Sequence, residues 1–358
     1  MRSGRKIKAE ARMSGDSLAV GAVAPDAQAV AGPDWRSFSA LLLAAAAGLF
    51  VALVAALAVI DPYDTGRPGI LRARGVHEQY PLTANASRAR DPRFDAAVIG
   101  NSHVQMLRPD RLDALTGLRF VSLIMPATYP PEQLDVLRWF QMNRAHPARA
   151  VAIGMDRFWC LHETAPNARF PAWLYAEDFP SYLAGLVRYR SLEAAAARIR
   201  LLRTGKGGAR PDGYWDYGPD YAQRGLAAEE PSRRKLATRP EDPFNPTGEF
   251  PPLDRLRVAL SGLPPETAVL LVRPPVYRTA LPEPGSVREQ AARSCRAKME
   301  EVAASRPRTA LVDLVGRYAD DPADYYDHAH YRESLARRVE QDVAAAFARL
   351  GAPNLAAP

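Results

Sequence analysis

A four-residue apolar run, Ala96-Ala97-Val98-Ile99, breaks off into Gly100-Asn101-Ser102-His103 before the chain turns toward a helical pattern. So short a run, bounded by a glycine turn, reads as a buried strand. The pattern recurs. Apolar runs at residues 119–125, 148–153, 268–272 and 309–315 alternate with segments of helical periodicity at 109–115, 130–144, 253–263 and 287–304. Gly117 stops the first of these helices, and Leu134, Leu137 and Phe140 form the apolar stripe of the second. Strands alternating with helices predict an α/β fold on a parallel sheet.

Five such strands imply a flavodoxin-like three-layer sandwich, and in an open sheet of this kind ligands bind where the carboxyl ends of the strands meet a crevice. Ser102 ends the first strand. Gly154 and Asp156 end the third, and Arg273 and Tyr277 end the fourth, offering a cation and an aromatic ring to the same edge. The fifth leads into Tyr325-Tyr326-Asp327-His328-Ala329-His330-Tyr331, ahead of an amphipathic helix marked by Leu335, Val339, Val343 and Phe347. Asp327 and His330, three apart on a loop entering a helix, are spaced for a carboxylate to orient an imidazole whose other nitrogen faces a serine. A serine hydroxyl needs such a base to become a nucleophile. The blander roles are helix capping for Ser102, Asp327 and Asp156, and plain surface positions for the histidines.

An early Gly-x-Ser at a strand end with a late Asp-x-x-His resembles the SGNH/GDSL hydrolase superfamily. Within it the resemblance is to the membrane-anchored, polysaccharide-modifying branch that includes alginate O-acetylation and teichoic-acid D-alanylation proteins. It covers about residues 90 to 350 in outline and implies a Ser102, His330 and Asp327 triad without metal or organic cofactor. The oxyanion hole would use the Ser102 amide and a second amide at Ala127, where the family has a glycine. At the position of the family's oxyanion asparagine stands Asp156, and an ionised carboxylate cannot donate. That leaves it to bind substrate hydroxyls or to be held protonated, and asparagine there would supply the missing donor. The resemblance further implies a glycan or acyl-ester substrate and an acyl donor passed on by a multi-spanning membrane partner.

Residues 38–60 carry no charge. Such a run is long enough to cross a bilayer and longer than the apolar core of a secretory signal. The domain plan expected is a disordered basic tail at 1–36, a transmembrane helix at 37–60, a linker at 61–92 and an SGNH-like domain at 93–352. Five basic residues, Arg2, Arg5, Lys6, Lys8 and Arg12, against Glu10 put the tail on the cytoplasmic side, and the domain outside an inner membrane, in the periplasm. The net charge of +7 is scattered and forms no stripe, which argues against a nucleic-acid groove. Two cysteines, Cys160 and Cys295, are too few for a disulfide framework, and spacing leaves their pairing open.

Residues 160–250 interrupt the strand-helix rhythm as an insertion: helix over 173–202, then a stretch rich in Gly, Pro and Tyr. Tyr214, Trp215, Tyr217 and Tyr221 there suit either sugar stacking or packing. The expected function is acyl-ester chemistry, by O-acyltransferase or esterase, on a cell-envelope or exported polysaccharide. Its rivals are a non-catalytic glycan-binding scaffold that keeps the fold, and a metal site using His328 and His330 with Asp324 or Asp327.

Overall fold

The computed structural model describes residues 34–351, except 69, 71–74, 77, 145 and 226–228. The basic cluster at residues 2–12 therefore lies outside the described residues. The chain falls into two units, one ending at Phe50 and the other beginning at Val51. Helix α1 (Trp35–Ile60) has 26 residues, about 39 Å at 1.5 Å per residue, and is long and apolar enough to span a bilayer. Asp34 accepts from the Arg36 and Ser37 amides, which closes its first turn. Leu41, Leu42, Leu43 and Leu49 stand exposed along it.

The elements that follow are α2 (Pro81–Arg88), β1 (Ala96–Ile99), α3 (Pro109–Thr116), β2 (Phe120–Ser122), α4 (Pro130–Met142) and β3 (Ala150–Gly154). Then come α5 (Ala172–Tyr175), α6 (Phe179–Leu186), α7 (Tyr189–Thr204), α8 (Gly218–Gln223), α9 (Glu229–Ala237) and α10 (Pro251–Ser261). The chain closes with β4 (Ala268–Arg273), α11 (Val287–Ala304), β5 (Thr309–Asp313) and α12 (Glu333–Arg349).

All five strands are parallel, in the order β2-β1-β3-β4-β5. Because side chains alternate along a strand, Ala97, Ile99, Val151, Ile153, Val269 and Leu271 pack with Val136, Phe140, Leu256 and Met299 on one face. Ala96, Val98, Ala150, Ala152, Leu270 and Val272 meet Leu112, Leu335, Val339 and Phe347 on the other. Both faces are thus covered by helices, as a sheet of near-continuous apolar strands requires. The four-residue spacing read along α12 is realised: Leu335, Val339, Val343 and Phe347 are fully buried, each worth about 1.5–3 kcal/mol.

Of the segment 61–92, expected to be a linker, many described residues are instead packed into the fold. Asp61, Tyr63, Asp64 and Thr65 are buried, as is most of α2. Asp61 accepts from Thr65, the Gly66 amide and Tyr182 Oη, and Asp64 accepts from Ser87, the Gly75 amide and Arg198. Composition alone suggests a tether here because the partners that satisfy these carboxylates, Tyr182 and Arg198, lie more than a hundred residues on.

The single helix expected over 173–202 is three. Asp178 caps a new helix at Phe179-Pro180 by accepting from the Ser181 amide, and the chain breaks again at Arg188. Proline cannot continue a helix interior but suits a first turn. Among the described residues no strand interrupts 160–250. Cys160, at the start of that insertion, is disulfide-bonded to Cys295 of α11.

Candidate active site

Ser102 opens a 3-10 turn, Ser102–Val104, directly after β1. Gly100 and Gly154, at the ends of the neighbouring strands β1 and β3, let that turn lie close on the sheet. A Cβ at either would come within 3.0 Å of a Val104 methyl. Gly154 is therefore covered by Val104, and what it provides is space for the turn that carries Ser102.

The other half of the site is the loop after β5. An antiparallel bridge between Tyr325 and Tyr331 closes it, reinforced by the Tyr326 amide donating to the His330 carbonyl at 2.8 Å. Within this loop Asp327 Oδ1 accepts from the Ala329 and His330 amides, and both carboxylate oxygens lie 2.9 Å from His330 Nδ1. His330 Nε2 lies 2.9 Å from Ser102 Oγ. Burial works against ionisation of Asp327, yet the hydrogen bond and charge of His330 and the two amides outweigh it and hold the carboxyl well below the usual range. The imidazole thus has a fixed carboxylate on one nitrogen and a hydroxyl on the other, an arrangement that can remove the serine proton and return it.

Residues 228 apart in sequence meet because α12 grips the Ser102 loop. Glu340, fully buried, accepts from the Arg108 amide at 2.8 Å and from Arg111 Nε at 2.8 Å, while Arg337 donates to the Met106 carbonyl at 2.9 Å. Behind His330, Tyr221 stacks on Tyr326 with ring centres 4.0 Å apart. Its hydroxyl accepts from Gln105.

Asp156 sits at the end of β3 beside the Ser102 turn and acts as an acceptor. It caps the following turn through the Phe158 amide at 2.9 Å, takes a hydrogen bond from Asn101 Nδ2, and lies 3.1 Å from His103 Nδ1. Of the roles weighed for it, capping is realised. His103 is buried against Phe158, with its ring centre 5.1 Å from that of His330. Asn101 and His103 escaped the sequence reading although both flank Ser102. Their signal was two polar side chains in a turn that buries its neighbours.

Ala127 has φ +60°, the left-handed conformation that glycine adopts without strain. Neither its amide nor that of Ser102 has an acceptor among the described residues. Arg273 is held in a cross-strand pair with Asp313 at 2.6 Å. Tyr277, expected to present its ring at the sheet edge, is instead buried edge-on against Tyr325, since the β4 loop folds back to bond its amide to the His328 carbonyl. Asp324 is taken by Ser334 and Arg338, and His328 Nε2 by the Thr238 carbonyl. Those two do not turn toward His330 and Asp327, and among the described residues no three His, Cys, Asp or Glu side chains gather for a metal. Tyr214 and Tyr221 are packed inside, whereas Trp215 remains exposed and bonds to Asp220.

No family model matches the sequence, and no curated protein is significantly similar to it.

Proposed function

We propose that the chain is a membrane-anchored acyl-ester enzyme of the SGNH type. Ser102 attacks an ester carbonyl while His330 takes its proton; His330 then returns that proton to the departing alcohol, leaving an acyl-Ser102. Water or an acceptor hydroxyl, deprotonated by the same imidazole, releases the acyl group. The observation that carries this is the relay from Asp327 through His330 to Ser102 Oγ, 2.9 Å at each link. The strand order β2-β1-β3-β4-β5 is compatible with a flavodoxin-like sandwich, and Ser102 directly follows β1, which β2 and β3 flank on either side. The free amides of Ser102 and Ala127 suit an oxyanion.

Hydrolysis and transfer share the acyl-enzyme and differ in the acceptor. The substrate class we assign is an acylated cell-envelope or exported polysaccharide, with a multi-spanning membrane protein supplying the acyl group where transfer is the reaction. The cytoplasmic side holds the basic tail, and the Cys160–Cys295 disulfide is in keeping with an oxidising compartment for the domain. A second reading, a glycan-binding scaffold, draws on Asp156, which accepts hydrogen bonds where an amide donor would stand.

A fluorophosphonate probe separates the two. The enzyme reading expects labelling of wild type that is lost in Ser102→Ala and falls sharply in His330→Ala. A folded wild-type protein that takes no label would favour the scaffold.

A further inference from the structure

A cavity of about 170 Å³ opens beside the loops that carry the triad, lined on that side by His103, Asp156 and Ala329, the neighbours of Ser102, Asp327 and His330, which do not themselves line it. Its remaining walls are mainly apolar, among them Met155, Phe244, Val276, Ala291, Ala292 and Val315. One wall belongs to the insertion, and several contacts hold it there. Asp242 pairs with Arg157, the Thr238 carbonyl accepts from His328 Nε2, and Arg288 lies over the Phe244 ring at 4.6 Å. Another wall, α11, is tied down by the Cys160–Cys295 disulfide.

Most charges along this cavity are already engaged. Arg157 pairs with Asp242 and Arg273 with Asp313, whereas Arg288 rests on the Phe244 ring without a carboxylate partner among the described residues. A sugar ring meets Asp156 and Asn245 but strands its remaining hydroxyls against alanine, valine and methionine. An apolar group meets no such cost. A wholly apolar cavity of about 150 Å³ holds a benzene molecule, so by volume this one takes about six carbons.

We propose that the cavity is the acyl-chain site and that the acyl group carried by Ser102 is a straight aliphatic chain of about four to six carbons, longer than acetyl. The inference rests on the acyl-ester reading for its chemistry, while the binding site itself does not depend on catalysis. The ester carbonyl lies at Ser102 and the chain runs past His103 toward Ala291 and Ala292.

The test uses the full chain in phospholipid nanodiscs with p-nitrophenyl esters from acetyl to decanoyl. Each added methylene should raise kcat/KM about fourfold up to hexanoyl, after which the gain stops. Ala291→Leu and Ala292→Leu, two independent ways of filling the cavity, should each lower the hexanoyl-to-acetyl ratio about tenfold. A profile that peaks at acetyl, or a ratio untouched by both variants, overturns the proposal. Hexanoate and acetate titrated by calorimetry into Ser102→Ala protein give a reading free of chemistry. Hexanoate should bind more tightly and lose that advantage in Ser102→Ala/Ala292→Leu; equal binding overturns the site. Absence of fluorophosphonate labelling with selective hexanoate binding would sink the triad and keep the cavity, and labelling without chain preference would do the reverse.

Discussion

Replacing Asp327 with asparagine changes one charge and almost no volume, and the geometry fixes its consequence. Asp327 Oδ1 already serves the Ala329 and His330 amides at 3.0 and 2.9 Å, so an asparagine carbonyl would stay there. Its NH2 then takes the place of Oδ2, facing His330 Nδ1 at 2.9 Å. Oδ1 stays within 2.9 Å of Nδ1 as well, but a donor at the Oδ2 position repels the Nδ1 proton and shifts the imidazole toward the tautomer protonated on Nε2. That nitrogen faces Ser102 Oγ at 2.9 Å and can no longer accept from it. Loss of the base by a wrong tautomer is worth about 10³–10⁴ in rate, or about 4–5.5 kcal/mol. The assay is the second-order rate constant for fluorophosphonate labelling at pH 7.5, with near-ultraviolet circular dichroism to confirm the fold. Because the carboxyl is held below its ordinary range in the folded state, its contribution to stability is present above about pH 4 and fades only as pH falls further. The variant's stability deficit should therefore be present above about pH 4 and shrink in acid. A labelling rate within about tenfold of wild type in a folded protein would refute the tautomer argument.

Asp156→Asn, which sequence reasoning expects to furnish an oxyanion donor, should instead slow labelling and cost about 1–3 kcal/mol. Whichever way the amide turns, one donor meets another from Asn101, His103 or Phe158; faster labelling would show that the side chain faces the oxyanion after all. Ala127→Gly relieves a left-handed alanine and should raise the urea midpoint by about 0.5–1 kcal/mol in stability. An unchanged or lower midpoint counts against strain at that position. Asp113 has its carboxyl pushed up to about 6, mainly by burial, so its folded state binds more protons than the unfolded chain between about pH 4 and 6 and loses stability as pH rises through that window. Asp113→Asn, which keeps an acceptor for the Phe120 amide, should stabilise the protein by about 1 kcal/mol at pH 7 after allowance for solvent screening, and not at pH 3.5. Arg198→Met removes one of two cations from the buried Asp64 carboxylate, leaving Arg90 at 3.6 Å, and should cost about 1–3 kcal/mol, read from the urea midpoint.

Periodicity and punctuation carried most of the fold. Four-to-seven-residue apolar runs have to be buried on both sides, which dictates parallel strands under helices, and β1, α11 and the apolar stripe of α12 fall where those patterns put them. The triad was legible for a local reason: Asp327 and His330 sit in one loop, and Ser102 ends a strand whose edge faces that loop in any sheet of this order. Tertiary structure alone decided what depends on distant partners. Asp61 and Asp64 look like linker residues until Tyr182 and Arg198 arrive from the insertion. The role of Asp156 as acceptor follows from Asn101 across the β1–β3 crevice, and the pairing of Cys160 with Cys295 from α10, which packs against both α11 and the turn that carries Cys160. Short-range pattern encodes which residues are buried and in what local geometry. Which polar groups satisfy one another is set by contacts between segments from about fifty to more than a hundred residues apart, and sequence spacing holds no record of those.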